Sequence, residues 1–178
     1  MADQGKGMSD LWRRLRFVFV AILVYRVGTH IPIPGIDPDR LSSLFEQNQG
    51  TLLDMFNLFS GGALERMSIF ALNVVPYISS AIIMQLFSNS IPYLQELKKD
   101  GQAGRNQITQ YTRYGTVVLA FIQASALAVT LSGSGLAYAP GAAFFASAVF
   151  SVVAGTVFLM WLGEQISERG IGNGISLI

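Results

Sequence analysis

The sequence predicts an all-α protein, a polytopic membrane helix bundle, on three observations. The first is composition: the chain is 51% hydrophobic and 13% charged, where soluble domains carry about 25% charged residues, and its mean hydropathy is +0.45. The second is that apolar runs of spanning length recur at Phe17 to Ile33, Ile69 to Phe87, Gly115 to Leu131 and Gly141 to Leu162. The third is a short apolar stretch, Thr51 to Phe59, that breaks at Ser60-Gly61-Gly62 before the second long run. A bilayer takes about 20 helical residues to cross, so this first piece is a half-helix. Broken backbone at membrane depth survives only where protein or a water-filled cavity satisfies it. The pattern therefore fits a membrane protein with an aqueous interior.

Each element has its own reason. Met1 to Arg16 is a polar, basic tail with Lys6, Arg13, Arg14 and Arg16, in which Leu11, Trp12 and Leu15 offer a short amphipathic lead-in at the membrane surface. Phe17 to Tyr25 is apolar all round, as lipid contact requires. Arg26 and His30 follow four residues apart on one helix face. Charge inside a span is costly, and Arg26 is expected to pack against the bundle. Pro32 and Pro34 are expected to end the helix, because the residue before proline resists the α region. Ile36 to Gln49 reads as an exposed loop with a helical turn. Ser88 to Arg113 reads as a polar loop turning near Gly101 and Gly104. Ser132 to Pro140 reads as an uncharged turn, and Gly163 to Gly174 as a second polar loop. Small residues in Gly141 to Leu162 let helices approach closely, and Trp161 stands where an interfacial aromatic belongs. An apolar run resumes at Ile175 and stops at Ile178, the expected mark of a fragment.

Lys6, Arg13, Arg14, Arg16, Lys98, Lys99, Arg105, Arg113 and Arg169 fall in the tail and two polar loops on one side, against Arg40 alone on the other. The positive-inside rule then places the N-terminus in the cytoplasm. The first apolar run ends in Ile-Pro-Ile-Pro-Gly rather than a small-residue cleavage site, so no cleavable signal is expected.

Chemistry is constrained mostly by exclusion. There is no cysteine, hence no disulfide framework or thiolate metal site, and the single histidine, His30, cannot build a histidine cluster. No Ser/His/Asp set, HExxH or phosphate loop is present. Gly170-Ile171-Gly172-Asn173-Gly174 has the glycines of a nucleotide loop but follows a membrane span, not a strand, so it reads as a tight turn into the next helix. No catalytic residue, metal or cofactor is expected. A net charge of +1 gives no footprint for sequence-specific nucleic-acid binding. Secondary transporters also use discontinuous helices, so a broken-helix solute transporter stays open as an alternative. Asp54, Glu65 and Arg66 stand near the break, but Glu65 and Arg66 are adjacent and do not face each other on a helix. Val74 and Ile78 share a helix face. Such aliphatic groups can close a pore by excluding water, although on chemistry alone core packing is the better reading.

Several stretches are more specific. Phe56 to Leu64 (FNLFSGGAL), Ser68 to Leu72 (SIFAL), Pro76-Tyr77-Ile78, Ile31 to Gly35, Gln110 to Gly115 (QYTRYG) and Phe158 to Leu177, with WLGEQISERGIGNGIS inside it, resemble the SecY family, the central subunits of the protein-conducting translocon. The resemblance runs from about Arg13 to the end and is to the bacterial form. It implies the N-terminal half of an inverted-repeat channel with a half-helix plug: a tail over 1–16, a first span over 17–35, the plug over 51–66, a pore and gate helix over 68–91, cytoplasmic loops over 92–113 and 163–174, spans over 114–131 and 141–162, and a new span opening at 175–178. It implies plug residues Leu52, Leu53, Met55, Phe56, Phe59, Gly61 and Gly62, a pore ring containing Val74 and Ile78, and lateral-gate residues Ser79, Ile83, Gln85 and Gln123. The implied function is passage of unfolded polypeptides across, or laterally into, the bacterial inner membrane. The implied partners are SecE and SecG subunits, the SecA motor ATPase, the ribosome, signal sequences, nascent chains and lipids. The chain departs from the family pattern at Asn73, where the family usually has Gly, and at Val74, where isoleucine is common.

Overall fold

The computed structural model describes residues 4–47, 50, 55, 58 and 65–178. Among them run seven helices: α1 (Gln4–Gly28), α2 (Pro38–Gln47), α3 (Val75–Ser90), α4 (Pro92–Lys99), α5 (Gly101–Gly133), α6 (Ala142–Arg169) and α7 (Gly174–Leu177). Helices α5 and α6 are each long and apolar enough to cross a membrane. They form the central pair; α3 packs on α5, and α1 and α7 pack on α6.

The central pair approaches closely because α5 presents a stripe of small residues. Thr112, Thr116, Ala120, Ala124 and Ala128 are buried at every fourth position, so they fall along one ridge. Lipid is as apolar as a side chain, and helices in it are held by such contact rather than by the hydrophobic effect. At the end of the bundle that carries α2, Ala124, Ala128 and Leu131 meet Phe144, Ala148, Val149 and Val152 of α6, with Ile33, Ile36 and Leu41 covering them. A second core joins α1 to α6 through Ala21, Tyr25, Leu159, Leu162 and Ile166, and takes in Phe70 and Val74 from the segment before α3.

That segment, residues 65–74, is a run of turns rather than the start of a helix. Three features hold it. Its backbone pairs with the chain leaving α1: Ile33 N–H donates to the Met67 carbonyl (2.9 Å) and Ile69 N–H to the Ile31 carbonyl (3.0 Å). The Phe70 ring stacks between Tyr25 and Phe158, with centroids 5.9 and 6.0 Å away. The ring fits because Gly28 of α1 and Gly155 of α6 both face it; a Cβ on Gly28 would strike the ring, and one on Gly155 would strike the Ile69 carbonyl. Finally, Met67 and Asn73 adopt left-handed backbone, φ +40° and +49°.

Several expected boundaries move. The expected long helix from Ile69 begins only at Val75, with Pro76 in its first turn, where a missing N–H costs nothing. The first helix stops at Gly28, not at the prolines. Residues 31–33 leave it because their backbone groups bond to 67–69 instead. Arg26 is exposed rather than packed into the bundle. The loop expected over 36–49 contains the ten-residue α2, started by Asp37, whose Oδ1 accepts the N–H groups of Asp39 (3.1 Å) and Arg40 (3.4 Å). The loop expected over 88–113 is mostly α4 and the first turns of α5. Leu94 and Leu97 give α4 a buried face, and Gly101, at φ +69°, makes the corner. The helix expected to end at Leu162 continues to Arg169. The glycine-rich turn is therefore shorter, with Gly172 at φ +78° and Asn173 capping α7 by accepting the Ile175 N–H at 3.1 Å.

Left-handed backbone costs a residue with a Cβ about 1–2 kcal/mol, and Asn tolerates it better than most. The Asn73 position is thus a glycine position held by the next best residue, and its buried Oδ1 has no partner among the described residues. In the full-length protein Asn73→Ala should be less stable than Asn73→Gly by about 1–2 kcal/mol, and Asn73→Gly should equal or exceed the parent. Thermal unfolding in detergent measures both; an Ala variant as stable as the Gly variant would contradict the left-handed assignment.

Candidate functional site

Helix α3 has three distinct faces. Pro76, Ser80 and Ser88 are buried. The Ser80 hydroxyl donates to the Thr112 carbonyl at 2.8 Å, and Gly115 lies flat against it, where a Cβ would come within 2.5 Å of Ser80 Oγ. This locks α3 to α5. A second face carries Ile78, Ile82 and Gln85 into a cavity of about 960 Å³. Ser79 and Ile83, four apart, occupy the next face round, Ser79 half-buried and Ile83 exposed.

The cavity is mixed in character. Its α3 wall is largely aliphatic. Asn106, Thr109 and Arg113 of α5 and Glu164, Ser167 and Glu168 of α6 make the opposing wall polar. Arg113 Nε donates to Glu164 Oε1 at 2.9 Å, with Glu164 only 16% exposed and Arg113 42%. The half-buried Tyr77 lies within electrostatic reach of both charges. A second cavity of about 370 Å³ shares Tyr77, Ala81 and Gln85 with the first and adds Lys98 and Arg105 from the α4–α5 corner. Among the described residues no group of three His, Asp or Glu could hold a metal ion.

The expected site residues do not all converge. Ile78, 43% exposed, faces the large cavity, whereas Val74, 7% exposed, packs against the core shared by α1 and α6. Gln85 and Gln123 stand at opposite ends. Counting from the Ser80–Thr112 contact, Gln85 lies five residues toward the α4 end and Gln123 eleven residues the other way, about 24 Å apart along the helix axes. Gln123 is half-buried. Of the expected plug residues, Leu52, Leu53, Phe56, Phe59, Gly61 and Gly62 lie outside the described residues; Met55 is exposed.

Two features of the site escaped the sequence reading. The ion pair joins residues 51 apart in the chain. Its one sequence signal was a lone charge at the end of each of two apolar runs. The Phe70 wedge had none, because an aromatic residue in an apolar run looks like any other core residue.

The comparisons with known proteins agree with one another. The SecY family model matches residues 68–178. Protein translocase subunit SecY of Pseudomonas aeruginosa is 61% identical over the whole chain, which covers 42% of that relative. The same subunit of Escherichia coli K12 is 57% identical over 97% of the chain, covering 40% of the relative. The chain thus spans about two fifths of the length of these relatives. Two solved structures, described as Sec61 in the canine ribosome–channel complex from the endoplasmic reticulum and as a protein-conducting channel, share the fold. Each superposes with a TM-score of 0.63 at 17% identity, over 94% of this chain and 35% of the other. With a family model matched over most of its length and relatives above half identity along nearly all of it, the chain belongs to the SecY family.

Proposed function

We propose that this chain is the N-terminal half of the pore-forming subunit of a protein-conducting channel, which passes unfolded polypeptides across, or laterally into, the bacterial inner membrane. The single observation that carries the proposal is family membership, and a polar-walled cavity along α3 is consistent with it. A transported chain needs a wet path with walls that do not bind it tightly, and mixed aliphatic and polar walls meet that need. The relatives are translocase subunits, which leaves nothing to support the solute-transporter alternative. Movement is driven from outside the chain, by the SecA motor ATPase or by the ribosome, with SecE and SecG completing the channel; a similar fold seated in a ribosome–channel complex supports the ribosome as partner.

In this reading residues 51–66 form the plug and Val74 and Ile78 contribute to the apolar constriction, with Ser79, Ile83, Gln85 and Gln123 on or beside the lateral gate. Ile78 has the support of standing open to the cavity. Val74, one turn away and packed inward, sets the base of the same helix. The tail and the α4–α5 corner, with their Lys and Arg excess, face the cytoplasm.

Apolar walls at a narrow point exclude water and ions without a charged barrier. Ile78→Asn in the full-length channel should therefore raise resting ion conductance in planar bilayers at nearly unchanged protein level, because the amide can be hydrated. Val74→Asn should act differently, burying an unsatisfied amide at a cost of about 1–3 kcal/mol and chiefly lowering protein level. A tight channel with Ile78→Asn at normal protein level would remove Ile78 from the constriction.

Orientation has its own test. Gln102 is exposed in the first turn of α5, and the chain contains no cysteine. Gln102→Cys should resist an impermeant thiol reagent added to intact spheroplasts and react after lysis. Labelling from outside would invert the topology.

A further inference from the structure

The large cavity holds a compact charge arrangement. Arg113 and Glu164 meet at 2.9 Å on its wall, between α5 and α6. Glu168, one turn along α6, lines the same cavity and is exposed. One guanidinium thus stands against two carboxylates. Ile78 lines the same space, so these charges lie beside the proposed constriction, not on a remote surface. Lys98 and Arg105 line the adjoining smaller cavity, which shares Tyr77, Ala81, Gln85 and Thr109 with the large one.

We propose that Arg113 is a specificity-determining residue of the conduction path, which by pairing with Glu164 limits the cavity to the single negative charge of Glu168 and so keeps basic polypeptide segments from being held and acidic ones from being repelled. The inference rests on the channel reading. Its physical basis is that a concave site with low-dielectric walls focuses the field of an unpaired charge, and that rings or clusters of one sign make a pore selective for ions of the other. An extended chain with alternating Lys and Asp would meet such a field residue by residue. A partly buried carboxylate freed of its guanidinium would retain cations; the freed guanidinium would retain acidic side chains. The salt bridge removes both effects while keeping the wall polar and hydrated.

The proposal makes an opposite-sign prediction that a merely structural clasp does not. The test uses the full-length channel with its partner subunits in planar bilayers, opened in two parents, one lacking residues 52–60 and one carrying Ile78→Asn. The readout is the cation-to-anion permeability ratio from reversal potentials in a KCl gradient. Arg113→Gln should raise the ratio, and Glu164→Gln should lower it. Each shift should be about two- to threefold: one unit charge at about 8 Å in water moves cation and anion about 2.4-fold each in opposite senses, roughly sixfold on the ratio, and screening at about 0.1 M salt reduces this. The swapped pair, Arg113→Glu with Glu164→Arg, should return the ratio to the parent value. Glu168→Gln, at an exposed position with little bearing on folding, should shift the ratio in the same direction as Glu164→Gln. Shifts of the same sign in the two single variants, or none, would overturn the inference. So would lowered protein level in both single variants, rescued by the swap with selectivity unchanged, since that would make the pair a clasp only. An absence of current in both parents would instead overturn the channel reading, and this inference with it.

Discussion

Peptide groups that leave a helix inside a membrane must find hydrogen bonds in other protein, and the arrangement of this chain follows from how residues 65–74 do so. The segment abandons helical pairing for ten residues. Its carbonyl and N–H groups at Met67 and Ile69 are matched by Ile33 and Ile31, which in turn can pair only because α1 has already ended at Gly28. The end of α1 and the late start of α3 are therefore one event, not two. Phe70 fixes the event in three dimensions. Its ring fills the notch left by Gly28 and Gly155, so α1 and α6 are spaced by an aromatic ring from a third element instead of by their own side chains.

This spacing has a consequence for the cavity. A helix beginning at Val75 rather than at Ile69 is 16 residues long, about 24 Å at 1.5 Å per residue, shorter than the roughly 30 Å hydrocarbon core. It reaches only part of the way along α5, and its contact with α5 is fixed at Ser80, Thr112 and Gly115. On one side of that contact line the small-residue stripe brings α5 against α6. On the other the wall residues are Asn106, Thr109 and Arg113, and the space is open. The change from Ala and Thr at every fourth position to longer polar side chains within one helix is what turns a packed bundle into a cavity wall.

The sequence carried the helical class and the long apolar runs clearly, because membrane spans have a strong and redundant signal. It carried the short turn at 170–173 for a similar reason, since glycine clusters have few other uses; the glycine break at 60–62 lies outside the described residues. The boundaries were less legible. Polar composition made 88–113 look like a loop, yet a polar helix that projects beyond the apolar layer keeps its backbone hydrogen bonds and loses nothing by staying helical. The same applies to 163–169. In the other direction, apolar composition made 69–74 look helical. Burial there comes from Phe70 and Val74 docking on α1 and α6, a tertiary contact with no periodic trace. Asn73 illustrates the limit: the resemblance implies glycine at this position, but only the left-handed φ of +49° gives a physical reason for glycine there. The partition between Val74 and Ile78 was equally hidden, since four residues apart on one helix implies one shared face only if both belong to that helix. Val74 precedes it, at φ −94° and ψ 6°.

Exposed apolar surface on this half is not of one kind. Along α1, Phe19, Val20, Leu23 and Val27 are exposed, with Arg26 beside them only in the last turn, and a mostly apolar face of this kind is what lipid accepts at little cost. Along α3, exposed Ile78 and Ile82 alternate with Gln85 and face Arg113 and Glu164 across an open space. Lipid tails cannot satisfy that wall, because a paired charge in hydrocarbon still carries a desolvation penalty. Water, or a polar polypeptide with its own hydrogen-bonding backbone, can. The two faces thus call for different surroundings, and the direction from α1 across α6 to the α3 cavity runs from bilayer toward the interior of the assembled protein. That polarity is set by the residues of this chain.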